Sequence, residues 1–154
     1  MLFALIALQV VQVAILWLHD WLPVPPLNDV AAVRAADSTR RLVIVTCVQS
    51  LPYTVGLIFS LSLGTGGGMG WLFWWLLISY GVLFVGELRA WWIPYFAGSD
   101  PVRAERYRLM FGRTHAFLPE RNGIRPNTLH VLLHCCTAAT LAVLIASAVS
   151  WGGG

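Results

Sequence analysis

From Leu42 to Gly86 the chain runs for 45 residues without one charged side chain. A soluble domain cannot afford such a stretch, because its surface must be polar. Soluble chains carry roughly 25% charged residues; here the figure is 11%, against 58% hydrophobic. That balance excludes an ordinary cytosolic domain and a disordered chain alike. It also argues against a nucleic-acid partner, since the formal net charge is only +3. The class that remains is an all-α integral membrane protein.

Bilayer hydrocarbon is ~30 Å thick and takes about 20 apolar residues of helix to cross. Four segments meet or approach that length: 2–18, 42–63, 71–93 and 129–151. Alternation of period two is absent, so the segments read as helices and not as barrel strands. The first has no basic region before it and no small-residue cleavage site close behind, and is expected to be a retained helix. Pro94 is expected to stop the third. The fold expected is therefore an antiparallel bundle of four transmembrane helices in one domain, 1–154.

All ten basic residues are arginines, and they fall in two connections. Arg34, Arg40 and Arg41 lie in 19–41; Arg89, Arg103, Arg106, Arg108, Arg113, Arg121 and Arg125 lie in 87–128. Both termini and the turn at 64–70 carry no charged side chain. Basic loops stay in the cytoplasm, so loops 19–41 and 94–128 are expected there, with both termini outside a plasma (inner) membrane.

Gly64-Thr65-Gly66-Gly67-Gly68-Met69-Gly70 has no strand before it and no lysine after it, so it reads as a tight turn and not as a phosphate cradle. Asn28 is expected to cap a short helix through Arg34, and Ser38 to cap the second span. Asp100-Pro101 opens a basic amphipathic helix with Val102, Leu109 and Met110 on one face. Its Arg103, Arg106, Arg108 and the nearby Arg113 are expected to meet anionic lipid headgroups. Asn122-Gly123 reads as a turn, and Asn127 as the cap of the fourth span.

The chemistry-bearing residues gather on the arginine side. His19 ends the first span, His115 lies in the long loop, and His130 and His134 sit one turn apart on one helix face. Glu87 lies six residues inside the third span, ~9 Å by helical rise. An ionisable residue at membrane depth marks a functional site by default. Glu87, His115 and His130 are the catalytic candidates. His19, His115, His130, His134 and Glu87 are the candidate ligands of a metal or haem, because imidazole and carboxylate suit such centres. One layer deeper, Gln12, Gln49, Ser79, Tyr80 and Thr137 fall at similar depth and suggest a polar layer that lines a cofactor or ligand pocket, or joins the helices by hydrogen bonds. Cys47, Cys135 and Cys136 form no CxxC pattern and read as small buried hydrophobes. Ala138, Ala142, Ala146 and Ser150 recur at steps of four, which permits close helix approach within the bundle or between copies. Trp71, Trp74 and Trp75 mark one interfacial belt, and Trp91 and Trp92 the other.

The segment Arg113-Thr114-His115-Ala116-Phe117-Leu118-Pro119-Glu120 resembles the cytosolic-loop signature of the membrane-associated eicosanoid and glutathione metabolism enzymes, which are similar in size and helix count. Phe117 stands where that signature has Asn, and the segment follows the third span instead of the first. The resemblance stops at size and helix count and implies no activity here. Three functional expectations follow from the residues themselves. One is an accessory, assembly or binding protein whose Arg/His-rich face holds a membrane-protein partner. Another is a metal- or haem-dependent enzyme acting through the His/Glu cluster. The last is a transporter or channel subunit, which with four helices requires a homo-oligomer.

Overall fold

The computed structural model describes residues 1–64 and 70–152. Most of them are helical: α1 (Leu2–Leu18), α2 (Val30–Ala36), α3 (Thr39–Gly64), α4 (Trp71–Glu87), a π-helical turn (Leu88–Trp92), α5 (Ile93–Ala97), α6 (Pro101–Phe111) and α7 (Thr128–Gly152). No strand occurs among the described residues; Arg121 and Ile124 form an isolated antiparallel bridge. Residues 65–69 of the glycine-rich turn lie outside the described residues.

Three helical stretches are long and apolar enough to cross a membrane: Thr39–Leu63, Trp71–Ala97 and Thr128–Ser150. The 17-residue α1 is apolar but shorter, ~26 Å by helical rise. It packs on α3 and α7, and α4 packs on the same two, so the four close into a ring. Leu5, Leu16, Phe73, Leu76, Leu133 and Leu144 fill the middle with Tyr53 and Tyr80.

The outside of this ring is greasier than much of its inside. Val48, Ile58, Trp71, Trp74, Ile78, Val82, Val85 and Val149 are exposed, while Gln9, Gln12, Ser50, Ser60, Thr137 and Thr140 are buried. Burial of an unpaired amide or hydroxyl opposes folding in water. The same arrangement is natural when the surroundings are as apolar as leucine.

Pro94 does not end the third helical stretch. The chain passes through a π turn and continues to Ala97, with Pro94 in the first turn of α5. Just before it the Ile93 amide reaches back to the Leu88 carbonyl, and this π register change interrupts the i→i−4 ladder where the proline lacks its N–H. Glu87 therefore stands ten residues before the stretch ends at Ala97, ~15 Å and not ~9 Å from that end.

At the arginine end, three caps form as the sequence suggests. Ser38 Oγ accepts from the Arg41 amide (3.3 Å), Asp100 Oδ1 from the Val102 amide (3.1 Å), and Asn127 Oδ1 from the His130 amide (2.9 Å). Asp29, not Asn28, caps α2 through the Ala32 amide (2.9 Å). Asn28 instead ties the turn after α1: it accepts from the Val24 amide and donates to the Leu22 carbonyl. Asn122 and Gly123 both adopt positive φ, 53° and 74°, the pairing that a tight Asn-Gly hairpin turn requires.

α6 packs on α2. Met110 joins Val33 and Leu42 in a small core, but Val102 and Leu109 are exposed, so the expected apolar stripe is split. Arg106 pairs with Asp37, which also meets Arg41 at 3.3 Å; Arg113 meets Asp29 at 2.9 Å, and Arg108 meets Glu105 at 2.6 Å. Of the four arginines expected at lipid headgroups, three thus have carboxylate partners within the chain. The Arg108 guanidinium beside Glu105 holds that carboxyl below its usual range.

Candidate functional site

A cavity of about 390 Å³ lies between α1, α3, α4, the π turn and α7. Its polar lining is His19, Gln49, Tyr53, Glu87, His130 and His134. The rest is apolar and includes Ile15, Leu16, Leu83, Leu129 and Leu133. Val48, Gln49, Val82 and Gly86 line it and are themselves exposed, so the cavity opens sideways between α3 and α4.

Glu87 is buried, 9% exposed. Its Oε1 accepts from the Tyr53 hydroxyl at 2.8 Å and the Thr137 hydroxyl at 2.7 Å. Its Oε2 is buried and has no partner among the described residues. A bare carboxylate oxygen in apolar surroundings is unfavourable by several kcal/mol when charged. That oxygen calls for a hydrogen-bond donor which the neighbouring side chains do not supply.

The two histidines of α7 are held in opposite senses. Asn127 Oδ1 accepts from the His130 amide, which fixes it as the oxygen, and the same atom lies 2.6 Å from His130 Nδ1. His130 Nδ1 must therefore carry hydrogen, and the neutral ring keeps its lone pair on Nε2. His134 Nδ1 lies 3.1 Å from Trp92 Nε1. Indole N–H only donates, so His134 Nδ1 accepts and the hydrogen sits on Nε2. Both rings line the cavity, and their free Nε2 atoms differ in role, an acceptor on His130 and a donor on His134.

Aromatic contacts fix both rings. His130 lies 4.2 Å from the Trp91 ring, 5.0 Å from Phe111 and 5.8 Å from His19, centroid to centroid. The π turn sets this up. Such turns carry an extra residue per turn and recur at functional sites. Here it lets the consecutive residues Trp91 and Trp92 both reach His134, at 6.2 and 6.0 Å. Trp91 is consequently 7% exposed and belongs to the site, not to an interfacial belt. His19 donates from Nδ1 to the Ile15 carbonyl at 2.9 Å and places Nε2 3.3 Å from Asp20. Burial pushes the Asp20 carboxyl up, and the adjacent imidazole opposes that shift.

The structure brings together His19, Gln49, Glu87, His130 and His134. It leaves His115 out: that ring is exposed and bonds Thr128 Oγ1 at 2.7 Å, while its backbone bridges Pro26 to Thr128. No group of three His, Cys, Asp or Glu placed to hold a metal occurs among the described residues. The polar layer is present but displaced. Gln12, Tyr80 and Thr137 are buried as expected, and Gln12 Nε2 donates to Thr140 at 2.8 Å. Gln49, by contrast, is exposed and sits at the cavity mouth. Gln9, Ser50, Tyr53 and Thr140 belong to the layer and were not expected there. Tyr53 is readable in retrospect, since it follows Gln49 by one helical turn on the same face. Comparison with protein families, with curated proteins and with solved structures finds no match to this chain.

Proposed function

We propose that this chain is an intramembrane binding protein for a lipid-soluble amphiphile, whose polar end lies against Glu87 and the histidines. The observation that carries the reading is the sideways opening of a polar-ended cavity between two apolar helices. A water-soluble ligand would call for an opening at the helix ends. A lipid-soluble one enters from the bilayer, past Val48 and Val82. The volume, about 390 Å³, lies within the ordinary range for small-molecule sites.

In this reading α1 is the fourth span, and the four helices run antiparallel in an inner membrane. Loops 19–41 and 94–128 lie in the cytoplasm, as the ten-to-zero arginine partition supports. The bilayer is the first partner, with Arg103 left to meet anionic headgroups once its neighbours are paired. Metal or haem ligation has less support, because no group of three His, Cys, Asp or Glu placed to hold a metal occurs among the described residues.

A photoactivatable long-chain diazirine amphiphile tests the proposal in nanodiscs. Labelling should concentrate on residues 48–53, 82–87 and 129–134. Gly86→Trp should remove it, since a Cβ at Gly86 meets nothing within 4 Å and the indole has room to fill the mouth. Labelling spread evenly over the exposed helix faces, and unchanged by Gly86→Trp, would overturn the reading.

A further inference from the structure

We infer that the head group recognised in this cavity is a hydroxyl, a phenol or alcohol on an apolar body. The inference rests on the binding reading above and narrows it to one chemistry. Among the described residues Glu87 Oε2 is buried without a partner, and the hydrogen bonds of the cavity-lining His130 and His134 rings run through Nδ1. Each of the three groups has a defined role. The Asn127 bond leaves His130 Nε2 an acceptor. The Trp92 bond makes His134 Nε2 a donor. Glu87 Oε2 lacks a donor, both neighbouring hydroxyls being turned to Oε1.

A ligand must therefore give and receive hydrogen bonds at one end. A ketone, ester or ether only accepts, so it satisfies His134 and leaves His130 and Glu87 bare. A quaternary ammonium makes no hydrogen bond: its charge compensates an ionised Glu87, but it leaves both imidazoles bare and faces the His134 N–H. A hydroxyl donates its hydrogen to His130 or Glu87 and accepts from His134 with its lone pairs. Buried polar groups left unpaired are what make such sites selective. The apolar body lies along Ile15, Leu16, Leu83, Leu129 and Leu133, and its tail leaves between Val48 and Val82.

The test is competition against the diazirine label in nanodiscs, using 4-octylphenol, 4-octylanisole and octyltrimethylammonium. Octylphenol should compete at a concentration about tenfold lower than either of the others, the scale of one to two net hydrogen bonds. In His130→Phe that advantage should shrink while octylanisole competes as before. Nitrogen-15 NMR on the unaltered protein gives a check that needs no variant: octylphenol should shift His130 Nε2, and His134 should stay protonated on Nε2. Focused labelling with equal competition by all three compounds would overturn the hydroxyl and leave the cavity standing. Absence of focused labelling would remove both. Protonation of His134 on Nδ1 in the free protein would also overturn the assignment.

Discussion

Trp92 Nε1 donates to His134 Nδ1 across 3.1 Å, from the π turn to α7. That bond decides which nitrogen of His134 carries hydrogen at the cavity. Trp92→Phe removes the donor and keeps an aromatic ring of similar reach. The expected outcome is a mixture of His134 tautomers by nitrogen-15 NMR and a loss of about 1 kcal/mol in stability. A single unchanged tautomer would show that something other than Trp92 sets it.

Glu87, Tyr53 and Thr137 form the second test. Glu87→Gln keeps a carbonyl oxygen for both hydroxyls and should cost under ~1 kcal/mol. Glu87→Leu leaves the buried Tyr53 hydroxyl without its acceptor and should cost about 1–3 kcal/mol. Adding Tyr53→Phe to Glu87→Leu should recover part of that loss, because the orphaned hydroxyl is then gone. Thermal midpoints of these proteins and of Tyr53→Phe alone, in one detergent, decide it; strictly additive losses would mean that the two side chains are uncoupled.

The apolar stretches, three caps and the Asn-Gly turn were legible because each depends on neighbours within a few residues. The gathering of His19, Glu87, His130 and His134 at one end was legible too, since the acidic residues and histidines all fall on the arginine side of the chain. The depth of each residue was not. Counting inward from the last arginine placed Gln49 in the layer, yet Leu42 packs with Val33 and Met110 in the loop core. Leu42, Thr46, Ser50 and Tyr53 make the buried face of α3, Gln49 lies one residue off it, and the layer falls on Ser50 and Tyr53. The π turn left no mark that periodicity could detect, so Trp91 and Trp92 read as a belt. The ion pairs of Asp29 and Asp37 with Arg113 and Arg106 join residues far apart in sequence, and only the packing of α2 on α6 brings them together.

Asp20 gives a dependence on pH. Burial raises its carboxyl above the ordinary value of 3.8. A group whose folded value is raised contributes stability below its unfolded value, and that contribution is lost as pH rises through the folded value. Relative to Asp20→Asn, the unaltered protein should therefore lose stability as pH rises above the ordinary carboxylate range of about 4. Paired melting curves from below that range to above it check the sign. A gap in favour of Asp20 that widened with pH would mean that its attraction to His19 outweighs burial.

Gly123 tests the hairpin that leans on α6. Its φ is +74°, and a Cβ there would lie 2.9 Å from the Ala104 Cβ. Gly123→Ala should cost about 1–2 kcal/mol from the backbone conformation alone. The amides of Arg121 and Ile124, each bonded to the other's carbonyl at 3.0 Å, should then exchange faster with solvent. Unchanged exchange would show that the hairpin is held from elsewhere, for example by Tyr95 on Pro119.

The π turn divides the longest helical stretch into two halves that are out of phase. Residues 71–87 and 93–97 do not share one helical wheel, so a face drawn through the first half does not continue into the second. A related chain without the extra residue would be one position shorter between Glu87 and Pro94. It would keep the carboxyl in place and swing Pro94, Tyr95 and the hairpin bound to them by about a quarter turn. The length of this short interval, more than the identity of any residue in it, therefore sets the angle at which the arginine-rich cap sits over the cavity.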